Sequence, residues 1–495
     1  MNDWSHGYDV SGGYSHGFYR EMAPDWLDLC AALGGAGAPR DRSSGKFRYL
    51  ELGSGQGIGL CLLAAANPHA EFVGIDFLPD HVAHSRKIAA EAKLDNLRFI
   101  EADFLALADS WPADLRQFDY VTLHGIYTWV TDAIRDAVVR CLHHATRDGS
   151  LVYVGYNTLP GWLATMPFQH VALQLKKAGG EADAVIPRAL ALFERLQAGN
   201  ALTFQVQPAL KARLESVRSE DPDYLLQEYL NDGWRPMWHS QVAGQLAAAQ
   251  LEYVATATIV ENLLPAMLPP ALREPVLDQA DSSLRQDLQD IILNQSFRRD
   301  IFRRGLASRE PQLGEFRLRL LAPPGEGAKI LVDTSFGEVA LEPPAFAGII
   351  AALRQGPQSI ADLLALSETS THDIRQILVL MLDTPALAVA AASAASPDAA
   401  QRLNAVLARA ASAGAPYGHL AAPALGSAIP ATTAQMLLLD AWLSSNGAAD
   451  ATSLAQALAA RSQEIAHAID RESEALAKGF LATAVPRLRQ LGAIA

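Results

Sequence analysis

Between residues 46 and 156, short apolar runs alternate with stretches whose hydrophobic residues recur at helical spacing. The runs cover 47–52, 71–75, 97–100, 118–123 and 150–156, and the intervening 58–66, 79–92 and 132–145 are each long enough for one helix. Parallel strands need crossover connections, so this rhythm predicts a parallel sheet with helices on both faces. Beyond Trp162 the strand signals thin out, and the chain reads mainly helical to about Gly305. The β-branched segment 251–259 is the main exception, and it suits an extra strand of the first sheet.

Turn residues at 323–327 mark a change of pattern. A helix from Pro343 to Leu353, a Gly356-Pro357 turn, helices at 360–367 and 372–382 and a β-like 386–390 follow, in the order of a winged helix. Helical stretches at 436–444, 453–460 and 480–491 repeat this grammar loosely, which would make the end of the chain a second such unit. The Ala- and Ser-rich stretch 386–424 reads equally as a small-residue helical layer or a flexible linker. The expected division is 1–165, 166–305 (mainly helical), 306–395 (winged-helix-like) and 396–495 (helical).

Composition narrows the class. Half of the 495 residues are hydrophobic and 19% are charged, which excludes disorder driven by low hydrophobicity. Forty basic against 54 acidic residues leave a net charge of −14, a poor match to a nucleic-acid partner bound by overall charge. Cys30, Cys61 and Cys141 lack zinc or disulfide spacing. The start of the chain lacks the basic and apolar regions of a signal peptide, and no apolar run approaches the roughly 18 residues of a membrane span, so a cytoplasmic protein without membrane insertion is expected.

Candidate chemistry begins at Tyr49-Leu-Glu51-Leu-Gly53-Ser54-Gly55-Gln-Gly57-Ile, where a strand runs into a glycine-rich turn and then a helix. Glycines remove Cβ atoms that would block a ligand from the backbone and permit positive φ. The dinucleotide fingerprint GxGxxG would want glycine at 58, where Ile58 stands. Asp76, followed by Phe77, ends the second strand, where a carboxylate can accept both ribose hydroxyls of a nucleoside. Asp103, followed by Phe104, ends the third. Alone, each acid reads as well as a helix N-cap. Three acids at successive strand ends after one glycine turn point to a nucleoside site. His124-Gly125-Ile-Tyr127-Thr-Trp129 and Tyr156-Asn157-Thr-Leu-Pro160-Gly161-Trp162 lie at the carboxyl ends of strands four and five, the binding edge of open α/β sheets. Tyr127 and Asn157 are the polar residues expected to face the cleft.

The spacing Glu-x-Gly-x-Gly-x-Gly resembles the first motif of class I methyltransferases that use S-adenosylmethionine (SAM), a Rossmann-like α/β fold. The segments His124 to Val130 and Tyr156 to Trp162, with Asn294-Gln-Ser-Phe-Arg-Arg-Asp300, resemble bacterial members that carry a methyltransferase regulatory domain. That group includes protein-lysine methyltransferases acting on outer-membrane proteins. The resemblance implies a SAM site built from Glu51, Gly53, Ser54, Gly55, Gly57, Asp76, Phe77, Asp103, Phe104, His124 and Gly125, with Tyr14 closing over the cofactor and no metal. Met22-Ala23-Pro24 stands where the family usually has a His-Pro pair.

The expected activity is in-line methyl transfer to a protein lysine, with Tyr127 and Asn157 orienting the acceptor nitrogen. The alternatives are a small-molecule N- or O-methyltransferase and a SAM-binding regulator without catalysis. Residues 372–382 offer one arginine against Asp373, too little charge for DNA phosphates. The C-terminal units are expected instead to grip a protein substrate or a second subunit, which makes a homodimer one expected assembly. The basic stretch 297–304 reads first as an amphipathic helix with solvated arginines, with docking of an acidic substrate as the alternative.

Overall fold

In the computed structural model, residues 16–115, 117–220, 222–305, 309–325, 327–366, 373–464 and 473–495 are described. The centre is a seven-stranded sheet in the order β3-β2-β1-β4-β5-β7-β6. Its strands are β1 (Arg48–Leu52), β2 (Glu71–Asp76), β3 (Leu97–Glu101), β4 (Phe118–His124), β5 (Thr146–Asn157), β6 (Leu251–Thr256) and β7 (Phe297–Arg304). The first five are parallel, and β7 runs antiparallel to both β5 and β6. The segment beginning at 251 therefore joins the first sheet, and the sheet takes its last two strands from beyond residue 165.

The five apolar runs become strands because burial on both faces favours continuous hydrophobic stretches. β4 and all but the first residue of β2 are buried or nearly so. Helices Ile58–Ala66, Pro79–Glu91 and Asp132–Ala145 form the crossovers. The first of these is apolar all round, and the structure supplies the reason. One face packs on the sheet, and the other is covered by helix Asp398–Ser412 and the hairpin β13–β14 (His419–Ala422 and Ser427–Pro430) described below.

Residues 297–304 form a strand, which corrects the helix expected there. Burial along β7 falls on Arg298, Asp300, Ile301 and Phe302. Arg298 is internal, bonded to Asp290 at 2.6 Å and Asp300 at 2.9 Å. A buried, paired arginine is invisible to a pattern that counts arginine as surface.

After β7 comes a small sheet in the order β11-β8-β12, from β8 (Arg317–Leu320), β11 (Gln358–Ser359) and β12 (Leu387–Val389), beside a hairpin of β9 (Ile330–Thr334) and β10 (Gly337–Leu341). Helices Pro343–Leu353, Ile360–Ala365 and Ile374–Leu382 accompany it, close to the stretches expected. The small-residue stretch 386–424 folds into β12, helix Asp398–Ser412 and β13, so the helical-layer alternative is the one observed. This last unit is fixed to the large sheet's helices. Arg402 donates to Ala92 O at 3.0 Å, and Asn67 donates to Gly426 O at 2.9 Å. Among the described residues, no helix is long and apolar enough to cross a membrane.

Candidate active site

The loop after β1 carries Gly53, Gly55 and Gly57 at φ of 73°, 52° and 72°, a backbone path that residues with a Cβ rarely follow. Side-chain space is missing too. A Cβ on Gly57 would lie 2.3 Å from Ser85 Oγ, and one on Gly53 would lie 2.5 Å from Ile126 Cδ1. Asp76, buried at the tip of β2, holds the turn. Its Oδ2 accepts from Gly55 N–H at 2.8 Å and its Oδ1 from Leu78 N–H at 3.0 Å. A carboxylate offers about four lone-pair directions, and with His81 Nδ1 also 3.5 Å from Oδ1, Oδ2 keeps one for a ligand. Asp103 caps helix Phe104–Asp109, accepting from Leu105 and Ala106 N–H at 2.8 and 3.1 Å. Capping does not exclude ligand contact, but it accounts for the acid in part. Phe104 is buried in the core on that side of the sheet, and Phe77 is half-buried after β2.

Above the loop lies a cleft lined by Glu51, Gly53, Ser54, Gly57, Tyr19 and His124, among others. Burial, with Asp76 nearby, pushes the Glu51 carboxyl up to about 8. Ser54 Oγ is buried with no hydrogen-bond partner among the described residues. His124 stands at the end of β4, and its Nδ1 is 2.8 Å from the Tyr153 hydroxyl. Tyr19 stacks on the imidazole at a centroid separation of 3.9 Å. Burial, assisted by Arg299, lowers the His124 pKa to about 3, so the ring is neutral at physiological pH.

His124 and Tyr19 also line a second, larger cleft of about 1880 Å³, walled by Trp129, Trp162, Tyr224 and Phe297. At its buried side, Asn157 Nδ2 donates to Glu228 Oε1 at 2.6 Å. Trp234 Nε1 donates to the same oxygen at 3.1 Å, and the Tyr224 hydroxyl donates to Oε2 at 3.3 Å. Burial pushes the Glu228 carboxyl up to about 7 against these hydrogen bonds and Arg213. Arg213 is itself tied to Glu220 at 2.5 Å and to the Tyr229 hydroxyl at 2.8 Å. The cleft is framed by the three segments that carried the family resemblance. Gly161 N–H donates to Gln295 O at 2.8 Å, and Trp162 Nε1 donates to Ser296 O at 2.8 Å. A Cβ on Gly161 would sit 2.6 Å from Gln295 O, so this close passage requires glycine.

A family described as a methyltransferase domain matches residues 43–176, and one described as a predicted methyltransferase regulatory domain matches 221–304. An uncharacterized protein of Synechocystis sp., sll1526, is 33% identical over 389 residues, spanning 76% of this chain and 75% of its own length. The chain belongs to the class I SAM-dependent methyltransferases with a regulatory domain. An uncharacterized protein of Rickettsia prowazekii, RP789, is 25% identical over 283 residues, 57% of the chain and 49% of its own length. PKMT2 from Rickettsia typhi, solved in complex with AdoHcy, has the same fold at a TM-score of 0.68 and 16% identity, covering 96% of this chain and 98% of that one.

SAM is the cofactor of this methyltransferase, and the residues fit it. A loop stripped of side chains gives the cofactor room against the backbone, Ser54 Oγ has no partner among the described residues, and Glu51 is a carboxyl whose ionisation a cation would favour.

The structure brings together Glu51, Gly53, Ser54, Gly57 and His124 around one cleft, and His124, Gly125 and Asn157 around the other. Tyr127 goes elsewhere, which corrects the expectation that it faces the cleft. It is fully buried in the core behind β4, its hydroxyl donates to Gln245 Oε1 at 2.7 Å, and it lines neither cleft. Tyr14 lies outside the described residues. The aromatic residue observed over His124 is Tyr19. Sequence reasoning also missed Glu228 and Tyr224. They sit in helix Pro222–Tyr229, Pro-Asp-Tyr-Leu-Leu-Gln-Glu-Tyr, which reads as an ordinary amphipathic helix. No local signal separates a buried glutamate there from a solvated one.

Proposed function

We propose that this methyltransferase transfers the methyl group to the side-chain nitrogen of a protein lysine held in the aromatic cleft. The observation that carries the reading is the buried Asn157–Glu228 pair inside a cleft walled by Trp129, Trp162 and Tyr224. Aromatic faces attract an ammonium through their quadrupoles, and a carboxyl near pH 7 offers it a counter-charge. PKMT2, a lysine methyltransferase with the same fold, supports this acceptor class.

Bound SAM supplies an electrophilic methyl group on a sulfonium. Glu51, Ser54 and the bare glycine loop hold the cofactor's amino-acid end, and Asp76 has a lone pair left for the ribose. A lysine ammonium begins near pKa 10.4 and must lose its proton before it can act as a nucleophile. Burial among aromatic rings lowers that pKa, and ionised Glu228 receives the proton through a hydrogen bond. Asn157, held by Glu228, orients the nitrogen. Neutral His124, between Tyr19 and the Tyr153 hydroxyl, forms the wall shared by the two clefts and adds no positive charge to oppose the incoming amine. The units after residue 305 serve to grip the protein substrate.

The test is to incubate the enzyme with methyl-labelled SAM and a bacterial extract, then separate protein from small molecules. Label in protein supports this reading. Label in small molecules alone supports a metabolite acceptor instead.

A further inference from the structure

A third cavity, of about 1290 Å³ including its open mouth, lies between the N-terminal segment, β12 and β14. Two open strand edges face it. Ala390 N–H donates to Arg317 O, and Leu321 N–H to Ala386 O, each at 2.8 Å. By antiparallel alternation, the main chain of Ala388 also faces β8, and that of Leu387 and Val389 faces away. On β14, Ala431 N–H donates to Gly418 O at 2.9 Å, so Ile429 and Ser427 face β13 and Ala428 faces away. Among the described residues, no hydrogen bond covers these outward groups, although Leu387, Val389 and Ala428 are all buried. Buried main-chain groups are rarely left unpaired.

The opposite edge of the same hairpin shows the usual remedy. Asn404 accepts from Ala421 N–H at 2.8 Å and donates to Ala421 O at 2.9 Å, closing the outer side of β13. No such side chain closes β14. The two open edges are joined at one end, where Ala391 N–H donates to Ala424 O at 3.0 Å.

The groove adjoins the active site at Tyr19, which lines it and both clefts described above. Its charge near Tyr19 is negative. Glu21 and Asp383 share one guanidinium, that of Arg20, at 3.9 and 3.2 Å. Arg487, another lining residue, has its Nε buried without a partner among the described residues, a donor that suits a peptide carbonyl. Apolar side chains such as Trp26 complete the lining.

We propose that this groove binds an extended segment of the protein substrate by strand addition along β12 and β14, delivering the lysine past Tyr19 into the aromatic cleft. Main-chain pairing gives affinity without a strict sequence, and the apolar lining reads alternate side chains. The carboxylates favour a basic residue near the lysine. This inference rests on the lysine reading above.

The test compares two acceptors: Nα-acetyl-lysine methylamide, which fills only the aromatic cleft, and a pool of eleven-residue peptides with a central lysine and random flanks. Ala428→Pro removes one outward N–H and leaves pairing to β13 untouched. Glu21→Lys reverses charge without altering either edge. The wild type should use the pool at least ten times more efficiently, in kcat/KM, than the small acceptor. Each variant should lose most of that advantage while keeping the wild-type rate on the small acceptor and the wild-type affinity for AdoHcy. Variants that bind AdoHcy normally and retain the full pool advantage would overturn the groove. A wild type that methylates neither acceptor overturns the lysine reading itself, and the groove proposal with it.

Discussion

Asn157, from the end of β5, and Glu228, from the regulatory segment, are joined by a buried 2.6 Å hydrogen bond. One partner comes from the methyltransferase domain match and the other from the regulatory domain match. The aromatic cleft is thus completed by the regulatory segment, and the first domain alone would lack its carboxylate.

Glu228→Gln should lower kcat/KM for a lysine acceptor by about a hundredfold or more, within the range of a lost proton acceptor. Because the carboxyl sits at about 7, wild-type kcat/KM should rise with pH through that value as Glu228 ionises, and the variant should lose that step. A pH–rate profile of both proteins checks this. Affinity for SAM should change less than about twofold.

Glu51, pushed up to about 8, couples cofactor binding to pH. The ammonium of the ligand's amino-acid end favours the ionised carboxyl, so binding releases a proton below pH 8, and affinity for AdoHcy, which carries that ammonium but no sulfonium, should rise with pH until that point. In the free protein the sign for stability is opposite. The raised pKa contributes stability fully present below about 4.3 and lost as pH rises through 8. Calorimetry in buffers of differing ionisation heat measures the proton release, and Glu51→Gln should abolish it.

Tyr127→Phe is expected to act on stability alone. The change removes the hydrogen bond to the partly exposed Gln245 Oε1 and should cost about 0.5 to 1.5 kcal/mol, read as a fall in Tm. Turnover and SAM affinity should stay within about twofold of wild type. A large loss of turnover in a protein of normal stability would return Tyr127 to the active site.

Gly57→Ala places a Cβ 2.3 Å from Ser85 Oγ at a φ of 72°. It should weaken SAM binding more than tenfold and lower Tm. Gly57→Ala combined with Ser85→Gly removes the Ser85 contacts but leaves Phe99 Cζ at 2.9 Å and the backbone strain, so it should recover only part of the loss. Equilibrium binding of AdoHcy to the three proteins decides the outcome.

The sheet and its glycine loop were legible in the sequence because burial on both faces writes itself as continuous apolar runs, and because positive φ demands glycine. Asn157 was legible as a polar residue at a strand end. Tyr127 occupies an equivalent position, yet its side chain turns into the core, since strand-end position does not fix which way a loop residue points. Glu228 and Arg298 were not legible. Their roles depend on partners far away in sequence, Asn157 for one and Asp290 with Asp300 for the other, and a buried charge looks like a surface charge until its partners are placed.

The most direct measurement of the central claim is amino-acid analysis of protein labelled by this enzyme from methyl-labelled SAM. After complete acid hydrolysis, the account predicts that the label co-elutes with Nε-methylated lysine. Label recovered on any other amino acid, or lost as volatile methanol from an ester, would contradict it.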